Sequence, residues 1–137
     1  MGLILDSSVL ITAERKGQTV AQLLKEVIGK MGDQETAISA VALVELVHGI
    51  HRADTSERRA GREVFIQELL ADVPVYPFTQ QVAFLAGRID AEQQRQGIKI
   101  PFQDLLIGAT TLHLGYTVVT GNPRHFEIIP NLVVKQL

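Results

Sequence analysis

Residues 98–126, IKIPFQDLLIGATTLHLGYTVVTGNPRHF, contain the pattern that decides the fold class. An extended, proline-terminated stretch leads into a compact apolar segment that predicts a helix over residues 102–114, ended by Gly115. Residues 116–120 then give the clearest strand pattern of the chain, because β-branched and aromatic residues dominate them. The turn residues at 121–123 break this strand. The segment therefore predicts a helix followed directly by a strand.

The rest of the chain repeats this alternation of helices and short apolar strands. Four further strands are predicted, at residues 3–5, 36–38, 73–77 and 132–134. The two prolines within 73–77 make that segment a short or edge strand. Apolar stripes predict helices over residues 20–28, 39–52, 55–71 and 79–97. Strands that alternate with helices predict one α/β domain over residues 1–137, with a mostly parallel sheet of about five strands flanked by helices.

The same patterns predict two capping residues, a buried helix and a turn. Ser39 and Thr79 precede helical stripes and are expected to be their N-caps. The helix over residues 39–52 is apolar around much of its circumference, so we expect it to be largely buried. The first strand is expected to end at a polar turn at Asp6, after which helical patterns begin.

The composition excludes several classes of protein. With 137 residues and 46% hydrophobic residues, the chain is apolar enough to bury a core. The absence of cysteine excludes disulfides, thiolate metal sites and cysteine nucleophiles. No apolar run approaches the roughly 20 residues that span a bilayer, so we expect a soluble, cytoplasmic protein without a membrane partner. The net charge of −2 argues against nonspecific binding of nucleic acid by charge alone.

Three acidic residues interrupt apolar segments where a charge is costly to bury. Asp6 directly follows Leu-Ile-Leu, Glu45 lies within VALVELV, and Asp104 precedes Leu-Leu-Ile near a helix start. Each has an ordinary alternative explanation: an Asx-turn at Asp6, an ion pair with an arginine at Glu45, and a favourable helix dipole at Asp104. Taken together, they suggest one site, because ligands of open α/β sheets lie at the carboxyl ends of the strands.

A shared site for three carboxylates implies a divalent cation. Carboxylates in one low-dielectric pocket repel each other unless protons or cations neutralise them. Without cysteine and without a usable histidine trio, oxygen ligands favour Mg²⁺ or Mn²⁺, which also bind phosphate oxygens. The acids therefore suggest metal-dependent phosphodiester chemistry.

Over nearly its whole length, the chain resembles the PIN domain family, and within it the ribonuclease toxins of VapBC-type toxin–antitoxin pairs. The segments that carry the resemblance are ILDSSVLI, SAVALVELVHGI, GIKIPFQDLLIGATTLHLGYTVVTGNPRHF and the terminal IIPNLVV. The resemblance implies a PIN fold and Mg²⁺- or Mn²⁺-dependent cleavage of RNA. It also implies a homodimer that a cognate VapB-like antitoxin inhibits.

The resemblance assigns individual residues. Asp6, Glu45 and Asp104 match the acidic metal-binding and catalytic positions, and Asn122 stands at a fourth position that is often Asp. Because Asn122 carries no charge, a second metal is expected to be weaker there or dependent on substrate, and one-metal and two-metal mechanisms both stay open. In either mechanism, the carboxylate-bound metal activates a water that attacks phosphorus.

Other residues have more than one explanation. Ser7 and Thr120 match small hydroxyl positions beside the acids, where they would orient a carboxylate or simply pack a turn. Arg124 and the adjacent histidine, just beyond Asn122, are placed to contact substrate or inhibitor. For Asp90, we favour a salt bridge with a nearby arginine over an extension of the acidic site.

Two further sets of residues have ordinary alternatives. His48 and His51 have helical spacing that can chelate metal, but a solvated helix end explains them better. An arginine-rich stretch over residues 52–62 is either a rim that attracts RNA phosphate or a solvated helix face. For the whole chain, the alternative function is a catalytically weak PIN-like binding module that acts through its partner complex.

Overall fold

The structure, a computed structural model, describes all 137 residues and contains five strands and seven helices. The strands are β1 (Gly2–Leu5), β2 (Glu35–Ser39), β3 (Val75–Tyr76), β4 (Thr117–Thr120) and β5 (Val133–Gln136). The helices are α1 (Ser7–Arg15), α2 (Val20–Met31), α3 (Ala40–His51), α4 (Ser56–Asp72), α5 (Gln80–Arg95), α6 (Phe102–Leu114) and α7 (Pro123–Glu127). None of the helices is both long enough and apolar enough to cross a membrane.

All five strands form one parallel sheet, in the order β3-β2-β1-β4-β5. The central strand β1 pairs on both sides: Leu3 is opposite Thr36 of β2 and opposite Thr117 of β4. Because every strand runs the same way, the residues that follow β1, β2 and β4 lie at one edge of the sheet. The predicted α/β fold with a parallel five-stranded sheet is confirmed.

Helices cover both faces of the sheet, which explains why β1 is apolar without alternation. Leu3 and Leu5 pack into a cluster with residues of α1, α2 and α4. Ile4 points to the other face and packs into a second cluster with residues of α5 and α6. In that second cluster, Gly108 of α6 lets the helix approach the side chain of Ile129, which an added methyl group would strike.

Several helix boundaries follow from capping. The Ser39 hydroxyl accepts the N–H of Ala42 and the Thr79 hydroxyl accepts that of Val82, so both predicted N-caps are confirmed. At the other end of α6, Gly115 has a φ of 71°, a left-handed conformation that favours glycine and ends the helix.

The structure corrects three expectations. No turn separates Asp6 from the next element, because α1 begins at Ser7 with Asp6 as its N-cap residue. The short helix α7 was not predicted, and it begins at Pro123, whose fixed φ suits a first helical position. Helix α3 is not largely buried: Val44 is 64% exposed and Val47 is 40% exposed.

Candidate active site

Asp6 occupies the centre of the sheet edge, between β1 and α1, and only 3% of it is exposed. Its backbone N–H donates to the carbonyl of Val119 over 2.9 Å, so hydrogen bonding to β4 extends past the end of β1. Its Oδ2 accepts hydrogen bonds from Ser8 Oγ at 2.7 Å and Thr120 Oγ1 at 2.9 Å. Ser7 Oγ is 3.4 Å from Oδ1. The carboxylate is therefore oriented by hydroxyl groups, without an ion-pair partner.

The same hydroxyls shape the loop after β4. Thr120 Oγ1 accepts the backbone N–H of Asn122 at 2.9 Å, and Ser8 Oγ accepts that of Gly121 at 3.0 Å. Asn122 is exposed, and its side chain makes no hydrogen bond within the protein. Its backbone is thus linked to Asp6 through the Thr120 hydroxyl, while its side-chain amide is free to contact a ligand.

Glu45 lies in the middle of α3, whose N-terminus follows β2 at the same edge of the sheet. The side chain is half-buried, and its Oε1 is a fully buried atom without any hydrogen-bond partner. Glu45 forms no ion pair, so the alternative of a paired structural carboxylate is wrong. A buried carboxylate oxygen without a hydrogen-bond partner lowers the stability of a folded protein unless a bound ligand contacts it.

Asp104 is partly buried in the first turn of α6. Its Oδ2 lies 2.9 Å from Nδ1 of His125, which α7 carries. The histidine therefore fixes the direction of this carboxylate from the far side of the loop after β4.

The pKa shifts of Glu45 and Asp104 indicate that each lies within range of the charge of Asp6. Burial raises the pKa of Glu45, the neighbouring Ser7 hydroxyl, which donates to Asp6 and not to Oε1 of Glu45, opposes this, and the charges of Asp6 and Asp104 raise the pKa further. Burial also raises the pKa of Asp104, the charge of Asp6 adds to it, and His125 lowers it by charge and hydrogen bond. Negative charge is thus concentrated beyond what the surrounding protein neutralises.

The residues fit a hard divalent cation by the chemistry of their donors. Asp6, Glu45, Asp104 and Asn122 offer only oxygen atoms, and the buried Oε1 of Glu45 has no other partner. No three acidic or histidine side chains are grouped closely enough, as they stand, to enclose one ion. The structure thus brings the acids into electrostatic contact without a complete ligand shell.

Two other predicted residues lie apart from these interactions. Arg124 is exposed on α7 and makes no hydrogen bond or ion pair. Asp90 of α5 accepts a hydrogen bond from Gln94 at 3.1 Å, and the expected salt bridge with Arg88 or Arg95 is wrong. Asp90 does not perturb the pKa of either Glu45 or Asp104.

Two contacts that support the acids are not evident from the sequence. Ser8 donates the shorter of the two hydrogen bonds to Asp6 Oδ2, and it would have been found only by predicting that α1 starts at Ser7. His125 was placed near the substrate, but its contact with Asp104 depends on the unpredicted helix α7.

A parallel sheet with acidic side chains at the carboxyl ends of its strands defines the class of α/β domains that bind ligands at this edge. Residues 3–131 match the family model of the PIN domain, and the chain belongs to this family. A Ribonuclease VapC of Rickettsia bellii is 30% identical, covering 98% of this chain and 95% of its own. A tRNA(fMet)-specific endonuclease VapC of Shigella flexneri is 29% identical, covering 94% of this chain and 92% of its own.

A solved structure shows the same fold over the whole chain. It is VapBC2 from Rickettsia felis bound to a DNA fragment from the promoter, with a TM-score of 0.85 and 24% identity. The match covers 100% of this chain and 99% of the solved chain. The predicted membership of the PIN family, with VapC relatives, is confirmed by the family model and the curated relatives, and the solved structure confirms the fold.

Proposed function

We propose that this protein is a Mg²⁺- or Mn²⁺-dependent endoribonuclease and the toxin of a type II toxin–antitoxin pair. The observation that carries the proposal is the buried, unpartnered Oε1 of Glu45 beside two further acids. Membership of the PIN family and the ribonuclease names of the relatives support the choice of RNA as substrate.

The carboxylates of Asp6, Glu45 and Asp104 would hold the cation, with the neutral amide oxygen of Asn122 as a fourth donor. When bound, a divalent cation supplies electrostatic stabilisation of a phosphodiester and lowers the pKa of a water molecule. The Thr120 hydroxyl keeps Asp6 oriented, because its hydrogen bond is already formed in the free protein. Attack by water should leave 5′-phosphate and 3′-hydroxyl ends on the RNA.

The test is incubation of antitoxin-free protein with total RNA in Mg²⁺, Mn²⁺ or EDTA, followed by mapping of new ends. We expect discrete cuts that EDTA abolishes and that Asp6→Asn and Asp104→Asn each reduce by at least a hundredfold. The matched control is Asp33→Asn, because Asp33 is exposed and precedes β2, at the opposite edge of the sheet. Cleavage that persists in both site variants would reject the assignment, and 2′,3′-cyclic phosphate ends would reject attack by water.

The substrate panel should include transfer RNA as well as messenger and ribosomal RNA. The Shigella flexneri relative is named a tRNA(fMet)-specific endonuclease, which makes structured RNA a reasonable first candidate. Single-stranded loops of such molecules expose the backbone to a site at a sheet edge.

We further propose a VapB-like antitoxin partner, since the solved Rickettsia felis neighbour is a VapBC complex. Adding the purified antitoxin at equimolar concentration should suppress cleavage.

The proposed homodimer is supported by large exposed apolar side chains on two helices that pack together, Phe84 of α5 and Phe102 of α6. Light scattering of wild type and Phe84→Ser would test it, with the variant shifted towards monomer.

A further inference from the structure

A cavity of about 490 Å³ opens directly beside the acidic site. Glu45 forms part of its wall, and so does Gln103, the neighbour of Asp104. Its basic lining residues are Arg15 of α1, His48 of α3, Arg62 of α4 and Arg52, which directly follows α3. We call this cavity the basic cleft.

The cations of the basic cleft are available for a ligand. Arg15 and Arg52 are exposed, and neither forms an ion pair or a side-chain hydrogen bond within the protein. Arg62 is held in place, because its Nε lies 3.2 Å from a carboxylate oxygen of Glu14 and its Nη1 lies 2.6 Å from the carbonyl oxygen of Gly49. The cleft therefore combines one fixed guanidinium group with two free ones.

The positive surface extends beyond the basic cleft. A second cavity of about 480 Å³ shares Arg15 and Arg62 with it and is otherwise lined by Glu14, the partner of Arg62, and by Arg58, which pairs with Asp54 at 2.9 Å. The chain as a whole has a net charge of −2. This concentration of guanidinium groups beside the acidic site is therefore confined to one part of the surface.

We propose that the basic cleft binds the phosphodiester backbone of the RNA chain on one side of the bond that is cut. This inference rests on the proposed nuclease function. Guanidinium groups match phosphate oxygens with paired, charge-assisted hydrogen bonds. Because Glu45 belongs to both the acidic site and the cleft, a strand with its scissile phosphate at the acids passes directly into the cleft.

The lining of the cleft also predicts how it recognises RNA. It contains no Phe, Tyr or Trp side chain on which a base would stack, and its apolar part is Ile11 and Val44. Contacts to phosphate carry no sequence information. The cleft should therefore strengthen binding equally for different RNA sequences and leave the choice of cutting site to other surfaces.

The test compares Arg15→Gln/Arg52→Gln with the control Arg59→Gln/Arg88→Gln. The control removes the same charge from exposed positions outside both cavities. Fluorescence anisotropy of several labelled single-stranded RNAs in EDTA measures binding without cleavage, across a series of salt concentrations. Each lost contact should weaken binding about tenfold and reduce the slope of log K against log salt by about 0.7. We expect the control to stay within about twofold of wild type.

The outcomes separate this proposal from the proposed function. Weaker binding of every sequence by the cleft variant supports the cleft, even if the wild type cuts no RNA and the nuclease proposal fails. If the wild type cuts RNA and the cleft variant shows unchanged RNA binding and unchanged KM, the proposed role of the cleft is rejected. The proposed nuclease function is then unaffected. A variant that binds RNA normally but loses its complex with the antitoxin also overturns the proposal, because the cleft would then serve a protein partner. A loss confined to one sequence overturns recognition through the backbone.

Discussion

Replacing Glu45 with glutamine should stabilise the metal-free protein at neutral pH. The wild-type side chain has a buried oxygen without a hydrogen-bond partner and a negative charge close to those of Asp6 and Asp104. Because glutamine still places a polar atom at the buried position, the gain comes from removing a charge that burial and the two neighbouring carboxylates disfavour, and half-burial of Glu45 limits it to about 1 kcal/mol. At this chain length, 1 kcal/mol corresponds to an increase in Tm of about 3 °C. Glutamine keeps the shape and removes the charge.

The stability that Glu45→Gln adds should increase from acidic to neutral pH. Because the pKa of Glu45 is raised above its ordinary value of 4.5, the folded protein binds more protons than the unfolded chain between the two values. The contribution of the wild-type carboxyl to stability is therefore fully present below pH 4.5 and is lost as the pH rises through the raised pKa. The advantage of Glu45→Gln should be present at about pH 7.5 and largely absent near pH 4.

The assay is thermal unfolding in EDTA at both pH values, repeated at pH 7.5 with Mg²⁺ or Mn²⁺. A metal at ten times its Kd stabilises the wild type by about 1.4 kcal/mol, and the variant should gain less, so its advantage should shrink or reverse. Glu92→Gln is the control, since this exposed residue of α5 forms no ion pair and should change stability by less than about 0.5 kcal/mol. A variant less stable than wild type in EDTA at pH 7.5 would refute the view of Glu45 as a strained, unpaired carboxylate.

Four other substitutions test separate parts of the structure. Arg62→Ala removes the two hydrogen bonds that hold α4 against α1 and α3, and urea unfolding should show a loss of about 2 kcal/mol; a loss below 0.5 kcal/mol would contradict this. Gly108→Ala should destabilise the protein by about 1–3 kcal/mol through overpacking, whereas Gly87→Ala, with open space around it, should stabilise by up to about 1 kcal/mol. His125→Ala removes a group that lowers the pKa of Asp104, so the acid limb of the pH profile of kcat/KM should move to higher pH; an unmoved limb would show that this contact does not set the active ionisation state.

The strands could be predicted because both faces of the sheet are covered. Leu3, Ile4 and Leu5 alternate between two apolar clusters, so the segment is continuously apolar and cannot be mistaken for a surface strand. The helix α7 could not be predicted in the same way, because five residues are too few for a helical period. Its formation depends on tertiary contacts, above all the burial of Phe126.

Helix α3 shows the limit of composition as evidence for burial. Its apolar residues predict a core helix, yet Val44 faces solvent beside the basic cleft. Hydropathy does not distinguish a side chain in the core from one that a ligand or partner covers only on binding. The acids could be predicted because they interrupt apolar segments. The hydrogen bond from the Thr120 hydroxyl to Asp6 could not be predicted from a local pattern, because it joins residues 114 positions apart and depends on the pairing of β1 with β4.

The distribution of charge at the sheet edge favours a ligand that carries both positive and negative charge. Glu45 and three arginines line the same cavity, where a structural role would pair them, yet Glu45 remains unpaired and Arg62 pairs with Glu14 instead. The protein thus keeps the Glu45 carboxylate without a cation next to two guanidinium groups without anions, those of Arg15 and Arg52. A phosphodiester strand bound with a divalent metal satisfies both at once, because the metal neutralises the acids and the backbone phosphates neutralise the arginines. A binding module for a protein partner alone would not require Glu45 to stay unpaired, so this separation of charge favours a nuclease over the alternative of an inactive PIN-like module.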